Sequence, residues 1–99
     1  MESYWSATQA GTNSGATATK AAQENRVYIV STVSGHGDAD SIITVKNGTT
    51  IIWETKIDVS VEGTSFHFAG LNLPCSIGNK AEAAIASSSS DCQITVSGT

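Results

Sequence analysis

From Arg26 onward, apolar side chains recur at every second residue in short runs, and each run ends in residues that turn the chain. Successive side chains of a strand leave opposite faces, so a period of two is what a half-buried β-strand imposes on a sequence. In RVYIVSTV, Val27, Ile29, Ser31 and Val33 fall on one face, with Tyr28, Val30 and Thr32 on the other. The runs SIITVK and TTIIWETKI follow, separated by Asn47-Gly48. Asn-Gly supplies the positive φ angles of a type I′ turn, so the spacing predicts a hairpin here. On its second strand Ile51, Trp53, Thr55 and Ile57 share a face, and Trp53 is expected in the core.

The remaining runs are shorter. DVSVEG is a polar link in which Val59 and Val61 could pair, and TSFHFAG places Phe66 and Phe68 inward with His67 outward. LNLPCSIGN holds the single proline and reads as an irregular crossing between sheets. KAEAAIA has helical propensity, but seven residues between two turns of a β chain favour a strand. SSSSD is a loop, and CQITVSG closes the pattern with Cys92, Ile94 and Val96 on one face. About seven strands separated by frequent turns predict an all-β fold, an antiparallel β-sandwich of jelly-roll or immunoglobulin-like type.

Residues 1–25 differ. SATQAGTNSGATATKAAQEN is small and polar, with Tyr4 and Trp5 as the only large side chains nearby. Such a segment buries too little apolar area to offset its ordering entropy unless another surface receives it. The expected organisation is therefore an extended N-terminal arm over 1–25, either loose or docking on a neighbour through Tyr4 and Trp5, and a sandwich domain over 26–99. A chain of 99 residues holds one such domain.

Charge and composition narrow the function. The net charge is −4 with five basic residues, too few and too scattered for the cationic patch that nucleic-acid binding requires. No stretch approaches the roughly 20 apolar residues of a membrane span. MESYWSATQAGTNSG has no apolar core of a signal peptide, so synthesis and assembly in a cytoplasm are expected. Cys75 and Cys92 lack zinc-site spacing and leave two alternatives. One is a pair of buried free thiols. The other is a disulfide closing a loop of about 17 residues, contributing on the order of 3 kcal/mol.

SGHGDADSI concentrates His36, Asp38 and Asp40 between two apolar runs. Their alternation could aim three ligands at one ion, but no Asp-x-Asp-x-Asp-Gly and no closing Glu accompany them. Gly and Asp also dominate where chains reverse, and the preferred reading is a solvated strand connection. The chain carries no GxSxG elbow and no phosphate-binding glycine loop, and His67 between two phenylalanines fits an exposed strand position. No catalytic residue and no cofactor are assigned. Tyr4, Trp5, Tyr28 and Trp53 could offer a sugar platform, though the core claims strand aromatics first.

Several pieces recur in a fixed order: Val45 to Trp53 (VKNGTTIIW), Phe66 to Phe68, Leu71 to Pro74, Gly78 to Ala81, and Val96 to Gly98. In that order and spacing they resemble small virion proteins of tailed bacteriophages, over about three-quarters of the chain. The resemblance implies a non-enzymatic virion part, foremost a capsid decoration protein on the outer shell. Its implied partners are the major capsid protein lattice and further copies of itself, typically as trimers. The competing expectation is a tail or head-fibre module that recognises a host-surface glycan or protein through the loops at His36–Asp40 and Ser87–Asp91.

Overall fold

A computed structural model describes residues 4–11, 15–58, 65–87 and 92–99. Among the described residues there are nine strands: β1 (Trp5–Gly11), β2 (Ala16–Lys20), β3 (Ile29–Gly37), β4 (Ser41–Asn47), β5 (Thr50–Ile57), β6 (Ser65–Phe68), β7 (Leu73–Pro74), β8 (Ala81–Ser87) and β9 (Cys92–Gly98). They form two antiparallel sheets, ordered β1-β9-β3-β6 and β2-β8-β4-β5. β7 pairs with Ile29 and Val30 of β3, while β6 pairs with Val33 to His36 of the same strand. Counted together, β6 and β7 make one interrupted edge strand.

The pairing then follows a single rule. β4 pairs β5, β3 pairs β6 and β7, β2 pairs β8, and β1 pairs β9. The chain is a long hairpin folded about the β4–β5 turn and rolled so that successive pairs alternate between sheets. That connectivity is a jelly roll. The all-β sandwich expected from the alternation is what the chain adopts, with nine strands instead of about seven.

The two inner faces bury one core. Tyr28, Val30, Val33, Ile94 and Val96 meet Ile43, Val45, Ala81, Ala83 and Ile85, each exposed by 2% or less. Burial of each Val or Ile side chain contributes about 1.5–3 kcal/mol. Two bulges decide which residues reach this core. The β3–β9 register shifts between Val30 and Thr32, leaving Ser31 as an extra residue. Val33 therefore joins the face of Tyr28 and Val30, not that of Val27 and Ile29. A second shift on β5 leaves Ile52 extra, because Val45 pairs Trp53 while Lys46 pairs Ile51. Ile51 is turned out to 51% exposure, so strict alternation fails there. Trp53 is only partly buried, its ring centroid 5.3 Å from that of Phe68 in an edge-to-face contact, and with Phe66 it closes the side of the sandwich between β5 and β6.

The hairpin turn is displaced by one residue from its expected place. Asn47 pairs Thr50, so Gly48 and Thr49 form the loop, and Gly48 takes φ 64°. Glycine at the first of two turn positions is the requirement of a type II′ turn, not of type I′.

The largest departure concerns residues 1–25. Their described stretches, 4–11 and 15–25, are not an arm outside a 26–99 domain, since every residue of β1 pairs with β9 and every residue of β2 pairs with β8. Trp5 is 5% exposed and Ala18 1%. The Trp5 indole N–H donates to the Thr99 carbonyl at 3.1 Å, and its ring meets Tyr28 edge-on at 5.5 Å. The receiving surface that a small, polar segment needs lies within the same chain. Between the two strands, a Cβ at Gly11 would stand 1.9 Å from the Gly15 carbonyl oxygen, so the crossing closes only with glycine there.

Trp5→Ala is expected to lower the unfolding free energy by about 3–5 kcal/mol, the range for truncating a buried large aromatic. Urea denaturation measures it. A detached arm would leave the midpoint unchanged.

Candidate interaction face

The residues singled out as ligands are not brought together. His36 is exposed near the end of β3 and points from the outer face of the first sheet, between Gln93 and Ser65. Asp38 and Asp40 are exposed in the crossing to β4, and Asp40 lines a shallow groove of about 530 Å³ with Ile42, Lys56, Asp58 and Ala86 at the edge of the other sheet. The described residues contain no group of three or more His, Cys, Asp or Glu arranged to hold a metal ion. Val59 and Val61, and most of the Ser87–Asp91 loop, lie outside the described residues.

Cys75 and Cys92 are both buried free thiols, and the disulfide alternative is overturned by their positions. Cys92 lies opposite Gly37, whereas the Cys75 amide donates to the Tyr28 carbonyl. Those positions on and just before β3 are about 30 Å apart at the rise of a strand, and a disulfide needs Cα atoms within about 7 Å. Burial pushes the Cys75 thiol above its ordinary 9.0. Of the two expected anchors, Trp5 belongs to the core, while Tyr4 is 73% exposed.

Pairing across the first sheet sets its outer face into rows. Ser6, Ser97 and Thr32 form one, Thr8, Thr95, Ser34 and His67 the next, and Ala10, Gln93, His36 and Ser65 the third. The Thr8 and Thr95 hydroxyls hydrogen-bond at 2.9 Å. No Asp, Glu, Lys or Arg stands in these rows. They hold nearly every kind of neutral donor and acceptor, spaced about 4.8 Å between strands. The outer face of the second sheet is different. It carries Lys46, Glu54, Lys56 and Glu82, with Glu82 paired to Lys80 at 3.0 Å.

One polar cluster had no signature in the sequence. The Asn47 Oδ1 accepts from the Ser76 amide at 3.0 Å and from Asn79 Nδ2 at 2.9 Å, while its Nδ2 donates to Ser76 Oγ at 3.0 Å. The Gly48 amide donates to the Lys80 carbonyl at 2.9 Å. Asn47 thus ties the β4–β5 turn to the segment before β8. The Asn-Gly pair marks the turn in the sequence, but this role of Asn47 depends on a contact 29 residues away. The rows of the first sheet had a fainter signal: Ser6 and Thr8 alternate with Ala7, as Thr17 and Thr19 do with Ala18. Alanine is too small to make that alternation prominent beside Val, Ile and Phe.

No protein-family model and no curated protein matches this sequence. The chain is similar to the crystal structure of PirA, with a TM-score of 0.56 over 100% of this chain and 97% of that one, at 10% identity. A likeness at that identity is one of fold alone, in keeping with the reuse of common folds for unrelated purposes.

Two outcomes are expected. Asn47→Ala removes the link between the turn and Ser76 and Asn79, with water replacing Asn47 at the exposed Ser76 amide, and costs about 0.5–1.5 kcal/mol by urea denaturation. For Cys75, the raised folded pKa means the native state holds its proton longer than the unfolded chain does. Its contribution is complete below the unfolded value and is lost as pH rises from about 9 through the folded pKa. Wild type should therefore lose stability above pH 9 more steeply than Cys75→Ala.

Proposed function

We propose that this chain is a non-enzymatic structural subunit of a tailed-phage particle, acting as a decoration protein that binds the outer capsid surface and reinforces it. The observation that carries the reading is the contrast between the two outer faces. A face of hydroxyls, an amide and two imidazoles, with no carboxylate, ammonium or guanidinium, can be buried against another protein without stranding an Asp, Glu, Lys or Arg charge, which would cost several kcal/mol per ion. The charged face of the second sheet suits continued contact with water. Many copies on a lattice would add modest individual contacts through effective concentration. The resemblance points the same way: VKNGTTIIW spans the β4–β5 turn, FHF is β6, LNLP ends in β7, and the closing Ser-Gly ends β9. Jelly rolls serve in viral capsid and in lectin domains, an analogy at the level of fold.

One observation favours a second reading, a tail or head-fibre module that contacts a glycan. Tyr4 precedes β1 in the parity of Ser6 and Thr8 and is exposed, so an aromatic ring borders the hydroxyl rows. Neutral hydroxyls beside an exposed ring are groups that a sugar can use. Copy number separates the readings, because a shell role needs hundreds of copies per particle and an appendage a dozen or fewer.

His36→Glu combined with His67→Glu places two carboxylates on the neutral face at exposed positions. Occupancy on particles stripped of this subunit is expected to fall at least tenfold. Undiminished occupancy contradicts docking through this face, and retention of a glycan-array signal with no particle binding favours the second reading.

A further inference from the structure

Each sheet of an open sandwich ends in strands whose outer backbone groups are unpaired, and such edges invite another chain to add a strand. Three of the four edges here carry a guard. β5 has the extra residue Ile52 together with Glu54 and Lys56. The β6–β7 edge is broken near Gly70, whose φ is 74°, and contains Pro74. β2 is five residues long and ends in Lys20. β1 has none of these: seven residues, WSATQAG, in unbroken register with β9 and without proline or charge.

The direction of its free groups follows from the other side of β9. Thr99 and Ile29 exchange both backbone bonds, at 3.0 and 2.8 Å, so the Thr99 backbone faces β3. Backbone groups alternate along a strand, so Ser97, Thr95 and Gln93 also face β3, and Gly98, Val96, Ile94 and Cys92 face β1. Their partners Trp5, Ala7, Gln9 and Gly11 then bond to β9. Ser6, Thr8 and Ala10 aim their N–H and C=O groups away from the sheet, where the Ala10 carbonyl accepts from the exposed Gln9 Nε2 at 3.1 Å and keeps a second lone pair for a further donor.

We propose that this edge pairs with β1 of a second copy, antiparallel about a two-fold axis through Thr8. Antiparallel pairing about that residue sets Thr8 opposite Thr8 and Ser6 opposite Ala10. All three residues carry outward-facing backbone groups, so each opposing pair exchanges both of its bonds, as the hydrogen-bonded pairs of an antiparallel ladder do. Side chains keep their faces: the row Thr8–Thr95–Ser34 of one copy continues into the same row of the other. No like charges meet, since β1 has no charge. The second copy is favoured as occupant because the free groups are centred on one residue and satisfy one another under that axis. The result is a continuous sheet across two copies, a two-fold closure in place of the threefold association that the resemblance implies. It concerns the free chain and does not rest on the virion reading.

Sedimentation velocity of the full chain over a wide concentration range tests it. Wild type should form a dimer, and Thr8→Ala, which keeps the amide, should do the same. Thr8→Pro deletes an edge amide that makes no bond to β9, a position where strands tolerate proline, and should raise the dimer dissociation constant at least tenfold. Should that variant fail to fold, Thr8→Lys and Thr8→Glu carry the test. Each alone places like charges opposite one another and should weaken pairing, while an equal mixture should give heterodimers several-fold in excess of either homodimer. A wild type that stays monomeric, a dimer indifferent to Thr8→Pro, or a mixture no better paired than its components overturns the proposal.

Discussion

The contact of the Trp5 indole with Tyr28 and the Thr99 carbonyl holds together the two ends of the chain. Tyr28 is itself fully buried, its hydroxyl donating to the Ala21 carbonyl at 2.7 Å, with the Arg26 guanidinium 5.2 Å and the Lys20 ammonium 5.8 Å from its ring. Without Trp5, β1 would present only Ala7 and a few half-buried atoms to the core. Neither β1 nor β2 has enough apolar surface of its own to offset the entropy of ordering its residues. They form because β8 and β9 supply ladders and the core supplies a place for one large ring.

That dependence explains what could be read in advance. The β4–β5 hairpin, β6, β8 and β9 were legible because Ile, Val, Phe and a turn pair mark them within a few residues. β8 is informative in detail. Its alanines would favour a helix in isolation, yet flanking turns and the surrounding β pattern outweighed propensity. β1 and β2 were not legible as strands because Ser, Thr, Ala and Gln carry little hydrophobic contrast, and their partners lie more than sixty residues away in sequence. The bulges at Ser31 and Ile52 escaped for a different reason. Local alternation continues through each, and only the register against the neighbouring strand shows which residue is extra.

The candidate site divides along the same line. Placing His67 outward between two inward phenylalanines needed only local parity. The grouping of His36, Asp38 and Asp40 depended on the chain remaining in one layer, and it does not: β3 ends in one sheet and β4 begins in the other. The neutral face depends on four strands from both halves of the sequence, so no short window displays it. It arises because two rows take a Ser or Thr from each of β1, β9 and β3, the third takes Ala10, Gln93 and His36 from them, and β6 adds His67 or Ser65 to two rows.

The central claim is that the N-terminal segment is structural, bonded to β9 through alternate residues and free at the others. Residue-resolved amide exchange on a monomeric sample tests it most directly. Ala7 and Gln9 should be protected to about the level of Val96, while Ser6, Thr8 and Ala10 exchange freely. Uniformly fast exchange from Trp5 to Lys20, with protection starting only at β3, would contradict it.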